Sequence, residues 1–157
     1  MLLTFDIGNT NIKSGLFDGE ELVHSWRLNM DLNKTADEYG MLFHSFFAYL
    51  GQTTEVVTGI IVSSVVPSIR YTIEHMCSLY FPVEPVFVGP GIKTGIRLCY
   101  NDPRELGADR ICNAVGAYYK YGGPLIVVDF GTATSMSVVS ENGDFEGGAI
   151  CPGVKIS

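Results

Sequence analysis

Basic residues are scarce in this chain. Ten Lys and Arg stand against seventeen Asp and Glu, a formal net charge of −7 over 157 residues. A protein that grips nucleic acid through its phosphates carries a basic run or patch. None occurs here, which argues against nucleic acid as a partner. An anionic small molecule is not excluded, because backbone N–H groups and one or two local cations suffice to hold a phosphate. Cysteines are few: Cys77, Cys99, Cys112 and Cys151, with no C-x-x-C spacing and no histidine at metal-ligand distance. That argues against a zinc ribbon or a redox pair and points to free thiols in a reducing compartment. The three histidines, His24, His44 and His75, are isolated; they read as structural or surface residues, and no Ser-His-Asp arrangement can be argued. No apolar run approaches the roughly 18 residues of a membrane span. Asp6 interrupts the apolar start Met1 to Phe5, so no secretory leader is expected. These shortages together point to a cytoplasmic protein with no membrane segment.

What is present is an apolar, foldable composition. Hydrophobic residues make up 46% and charged residues 17%, enough to offset chain entropy by burial. Residues 1–7 form an apolar run ending in a tight turn, and 11–17 return as a second strand. Asp18-Gly19 is the dipeptide of a type I′ hairpin turn, followed by a third strand over 20–28. Thr35 and Glu38 have capping-box spacing, and Tyr39, Leu42, Phe43, Phe46, Phe47 and Leu50 repeat at helical period, which predicts a helix over 35–50. A buried strand over 56–62 precedes a second helix over 66–81, with Pro67 in its first turn. A short strand follows at 86–88, then a loop from Gly89 through Asp102-Pro103, then a third helix over 103–121 stopped by Gly122-Gly123-Pro124. Strands over 125–129, 133–139 and 145–150 close the chain, with Asn142-Gly143 as a further hairpin signal.

This order is mixed α/β, and it contains an internal repeat. Strand, Asp6-x-Gly8-Asn9-Thr10, strand, Asp18-Gly19, strand is matched by strand, Asp129-x-Gly131-Thr132-Ala133, strand, Asn142-Gly143, strand. The spans are similar: Asp6 to Gly19 is 19 − 6 = 13 positions, and Asp129 to Gly143 is 143 − 129 = 14. A single Asp-x-Gly turn is common in proteins that bind no nucleotide, whereas two in matched hairpins suggest a duplicated domain with a cleft between its halves. The second repeat stops after a strand meander with no following helix, so the chain reads as a fragment of a longer fold.

The repeated turns suit phosphate. Glycine in a tight turn lets the backbone approach closely and aim N–H groups inward, with Thr and Asn adding donors. An Asp at the strand end can hold hydrated Mg²⁺ beside phosphates, and Lys13 just past the first turn can reach one as a point charge. The segment from Tyr100 to Arg110 is dense in ionisable groups where a loop enters the third helix. A kinase acting on an alcohol uses a carboxylate to orient the hydroxyl and accept its proton. Asp109 is the candidate base, and Arg110 a candidate for a substrate carboxylate or developing phosphate charge. Gly107, read as inside the helix, costs up to about 1 kcal/mol relative to Ala there, which suggests a close approach.

At these residues the chain resembles a known family. Asp6-Ile7-Gly8-Asn9-Thr10-Asn11-Ile12-Lys13 resembles the first phosphate motif of type III pantothenate kinases, in the acetate kinase/actin/hexokinase superfamily. Gly107-Ala108-Asp109-Arg110 is similar to their pantothenate-site motif, Asp129-Phe130-Gly131-Thr132-Ala133-Thr134 to their second phosphate motif, and Gly147 to Gly153 to the segment that follows. The resemblance implies a duplicated actin-like, ribonuclease H-like α/β fold with mixed sheets. Residues 1–123 would be the first domain and 124–157 the start of a truncated second. It implies ATP-dependent phosphorylation of pantothenate, the first step of coenzyme A synthesis. Asp109 would be the base, with Tyr100, Gly107, Ala108 and Arg110 lining the acceptor pocket. Asp6, Ile7, Gly8, Asn9, Thr10, Asn11, Ile12 and Lys13 would hold ATP with Thr132. Asp129 would be a ligand for a monovalent cation, K⁺ or NH₄⁺, required beside Mg²⁺. The resemblance also implies a homodimer, and it implies that these 157 residues alone are inactive or nearly so. The rivals are a kinase of the same superfamily acting on a sugar or other alcohol, and a non-catalytic regulatory relative.

Overall fold

The computed structural model describes residues 1–89, 91–99 and 106–154. They form two compact units, Met1–Phe87 and Val88–Ser157.

The first unit is built on a five-stranded mixed sheet. β1 (Leu2–Ile7), β2 (Asn11–Asp18) and β3 (Glu21–Asn29) form an antiparallel meander. β4 (Gly59–Ser64) and β5 (Pro85–Phe87) add in parallel on the other side of β1, giving the order β3-β2-β1-β4-β5. Alternation along β1 sends Leu3, Phe5 and Ile7 into the core, leaving Thr4 and Asp6 on the other face. Two helices, α1 (Ala36–Tyr49) and α2 (Arg70–Tyr80), pack together. Their seam is tight enough that a Cβ on Gly40 would run into the Tyr80 ring. The expected capping box is formed: Glu38 N donates to Thr35 Oγ1 at 3.2 Å, and Thr35 N donates to a Glu38 carboxylate oxygen at 2.8 Å. Tyr39, Phe43 and Phe47 reach the core, where Phe5 meets Phe43 edge-on at 5.1 Å and Trp26 stacks on Phe46 at 5.3 Å.

Several boundaries differ from the sequence reading. Thr54–Val56 is a 3-10 turn, so β4 starts at Gly59. Pro67–Ile69 is a second 3-10 turn leading into α2. The Asp18↔Glu21 pair encloses Gly19 and Glu20, and only Gly19 has positive φ, at 59°. The hairpin is real, but its turn is not type I′, because both central residues of that turn need positive φ.

The second unit holds a four-stranded mixed sheet in the order β6-β9-β8-β7. β7 (Leu125–Phe130), β8 (Ala133–Val139) and β9 (Asp144–Pro152) are antiparallel neighbours, and β6 (Arg97–Leu98) pairs with β9 in parallel. β6 lies inside the stretch read as loop. It is fixed by a bidentate ion pair from Arg97 to Asp144, at 3.0 and 2.7 Å. α3 (Ala108–Tyr121) packs on β7 and β8, with Ile111 and Ala114 buried against Val139 and Phe145. The break between compact units falls at 87/88. The Asn142-Gly143 turn is present: Gly143 has φ 82° and its N–H donates to Ser140 O at 3.1 Å.

Candidate functional site

In the first unit the β1–β2 turn is closed by one backbone bond, Gly8 N donating to Asn11 O at 2.9 Å. Asn9 and Thr10 are exposed at its tip. Asp6 and Lys13 are register partners across β1 and β2, and Lys13 Nζ lies 3.2 Å from Asp6 Oδ2, both side chains about half exposed. Such a pair is worth little to stability, so either partner is cheaply released to a ligand. Ile7 and Ile12 are sealed in the core. They can meet a ligand only through their backbone.

In the second unit the β7–β8 turn is closed by Gly131 N donating to Ala133 O at 3.0 Å, with Thr132 exposed. This turn is one residue shorter than the first, since Phe130 pairs with Thr134 whereas Ile7 pairs with Ile12. Asp129 accordingly lies opposite Ser135, not opposite a lysine. Gly153 backs the turn: a Cβ there would collide with the carbonyl of Thr132.

α3 carries Asp109 and Arg110 of the ionisable segment, whose residues 100–105 lie outside the described residues. Gly107 is its N-cap, not an interior residue. Glycine is tolerated at an N-cap, so the expected helical cost does not arise. Asp109 follows in the first turn, half-buried, and its Oδ1 accepts from Arg110 N at 2.8 Å. A carboxylate there is stabilised by the positive end of the helix dipole. Ala108 and Arg110 are buried. The Arg110 guanidinium donates from Nε to Ser137 Oγ at 3.2 Å and from Nη2 to Met136 O at 3.1 Å, over the Phe145 ring at 5.5 Å. One helical turn beyond Asp109, Asn113 Nδ2 donates to Asp129 Oδ2 at 3.3 Å. The structure thus brings Asp129 to the same helix as Asp109 and Arg110. Tyr100 lies outside the described residues.

Sequence reasoning did not single out Ser137, Asn113, Gly148 or Gly153. Asn113 had a local signal in its i+4 spacing from Asp109, and the two glycines sat in the Gly147–Gly153 segment. Ser137 had none, being 27 residues from Arg110.

The described residues contain no group of three or more His, Cys, Asp or Glu placed to hold a metal ion. Mg²⁺ bound with a nucleotide takes one or two carboxylates and completes its shell with phosphate and water. Asp6, held only by a weak pair with Lys13, fits that need. Asp129 offers a hard cation an oxygen donor.

Comparison with known proteins agrees with these motifs. The sequence model of the type III pantothenate kinase family matches residues 2–157. A type III pantothenate kinase from Brevibacillus brevis is 55% identical over all 157 residues, and the chain spans 62% of that relative's length. Among solved structures, a protein of Sinorhizobium meliloti assigned as a 2-dehydro-3-deoxygalactonokinase superposes with a TM-score of 0.58 at 12% identity, covering 96% of this chain and 53% of that one. A Campylobacter jejuni protein assigned to the Baf family of transcriptional activators gives 0.55 at 20% identity, covering 98% and 55%. At these identities the likeness is one of fold alone.

Proposed function

The chain belongs to the type III pantothenate kinase family, and on that premise we propose that the protein carrying it transfers the γ-phosphoryl group of ATP to the primary hydroxyl of pantothenate, opening coenzyme A synthesis. The single observation that carries this reading is the family match along residues 2–157. Asp109 is the general base, orienting the acceptor hydroxyl and taking its proton, and Arg110 supplies positive charge to the acceptor. Gly107, Ala108 and Tyr100 line the acceptor pocket. The turn from Asp6 to Lys13 binds ATP phosphate, with Asp6 toward Mg²⁺, and Thr132 contributes to the same ligand. Asp129, steadied by Asn113, takes K⁺ or NH₄⁺. Bound metal neutralises phosphate charge; the protein's own part is positioning. The same reading takes 1–123 as a first actin-like domain, 124–157 as the start of its repeat, and the working form as a cytoplasmic homodimer.

The test is ATP-dependent phosphorylation of pantothenate by the native gene product, followed by mass, with and without K⁺. A phosphopantothenate product dependent on K⁺ supports the reading. A folded, ATP-binding protein that gives no product would refute it and direct a screen toward sugars and other alcohols.

A further inference from the structure

Arg110 is the only buried cation among the described residues, 6% exposed, and no carboxylate there pairs with its guanidinium. A buried charge left uncompensated is costly, so a structure that keeps one has a use for it. Two of its nitrogens are committed, Nε to Ser137 Oγ and Nη2 to Met136 O, while no hydrogen bond among the described residues uses Nη1. The guanidinium is planar and rigid, so tying two nitrogens and resting the plane near Phe145 fixes where the third points. Gly148 completes the seat. It pairs with Ser137 across β8 and β9, and a Cβ there would strike both the Met136 carbonyl and Arg110 Nη2. The glycine keeps open the space that the arginine occupies.

We propose that Ser137 and Gly148 are positioning residues that aim Arg110 Nη1 at the anionic group of the acceptor, and so set preference for a carboxylate-bearing substrate. The inference rests on the pantothenate kinase reading for the identity of that acceptor; the seat itself rests on geometry alone.

The test compares Ser137→Ala, Arg110→Lys and the double variant in the native gene product. Losing one hydrogen bond to a charged group is expected to raise the pantothenate KM about tenfold in Ser137→Ala. The ATP KM and kcat should stay within about twofold, the pattern of lost acceptor binding. In the Arg110→Lys background, Ser137→Ala should add nothing. Gly148→Ala should act in the same direction and more strongly. An unchanged pantothenate KM, an equal rise in both KM values, or full additivity in the double variant overturns the proposal. A readout independent of turnover is the ¹⁵N NMR signal of the Arg110 Nε–H, assigned by its loss in Arg110→Lys. It should be protected from exchange in the parent and unprotected in Ser137→Ala; no protected signal in the parent overturns the seat. If that signal behaves as expected but pantothenate is not phosphorylated, the functional reading fails and the seat stands.

Discussion

Asp109 and Arg110 are adjacent in sequence but live in different surroundings. Asp109 is half-buried in the first turn of α3, whereas Arg110 is sealed against β8 and β9. That separation suits a base that must meet substrate and a cation that must stay put. Asp109→Asn preserves shape and removes the proposed proton acceptor. Turnover is expected to fall by about 10²-fold or more with nucleotide affinity nearly unchanged, as read by steady-state kinetics beside ATP titration. A normal rate would remove Asp109 from the role of base. A second expectation concerns Cys77, on the buried face of α2 in the first unit's core. Burial, with Glu84 and Glu74 adding to it, pushes its thiol up to about 12 from an ordinary 9. Below the ordinary value both folded and unfolded forms hold the proton, so its contribution to stability is complete there. Above it the unfolded chain ionises while the folded one does not, and stability drains away as pH rises toward about 12. Urea midpoints measured upward from neutral pH should fall, and Cys77→Ala should flatten that decline. An identical slope in the variant would assign it to other groups.

The elements were legible where their signals were local. Thr35 and Glu38 announced the start of α1, and the structure forms both bonds of the box. Thr35→Ala is therefore expected to cost about 1 kcal/mol, seen as a lower urea midpoint at unchanged slope, with Thr35→Ser close to the parent. No loss would mean that tertiary packing alone holds the helix start. β8 and the meanders were equally plain, because alternation and turn residues lie within a few positions of each other. The larger failures were non-local. β6 has two residues and owes its existence to β9 and the Arg97–Asp144 pair, 47 positions apart. Gly19 was identified but its turn was set one residue early, since β2 continues through Asp18. For the candidate site, the motif residues were readable as a string, but what holds them was not. Ser137 and Gly148 reach Arg110 only once β8 and β9 have paired on α3.

The molecule as a whole keeps its acidic balance, and Lys13 and Arg110, its two motif cations, are respectively paired with a carboxylate and buried. Duplex DNA is therefore expected to show no retardation at about 0.1 M salt, where exposed charges act over only about 10 Å. A salt-sensitive shift would favour a regulatory role. No helix among the described residues is long and apolar enough to cross a membrane. The outer strand of the second sheet has a practical consequence. Among the described residues β7 is hydrogen-bonded to β8 alone, and it displays Ile126, Val128 and Phe130 on one side, the first and last 66% and 73% exposed. A mostly apolar strand with an unpaired edge is a template for another strand. Preparations of these 157 residues should therefore be limited by concentration before they are limited by heat, with self-association starting along β7.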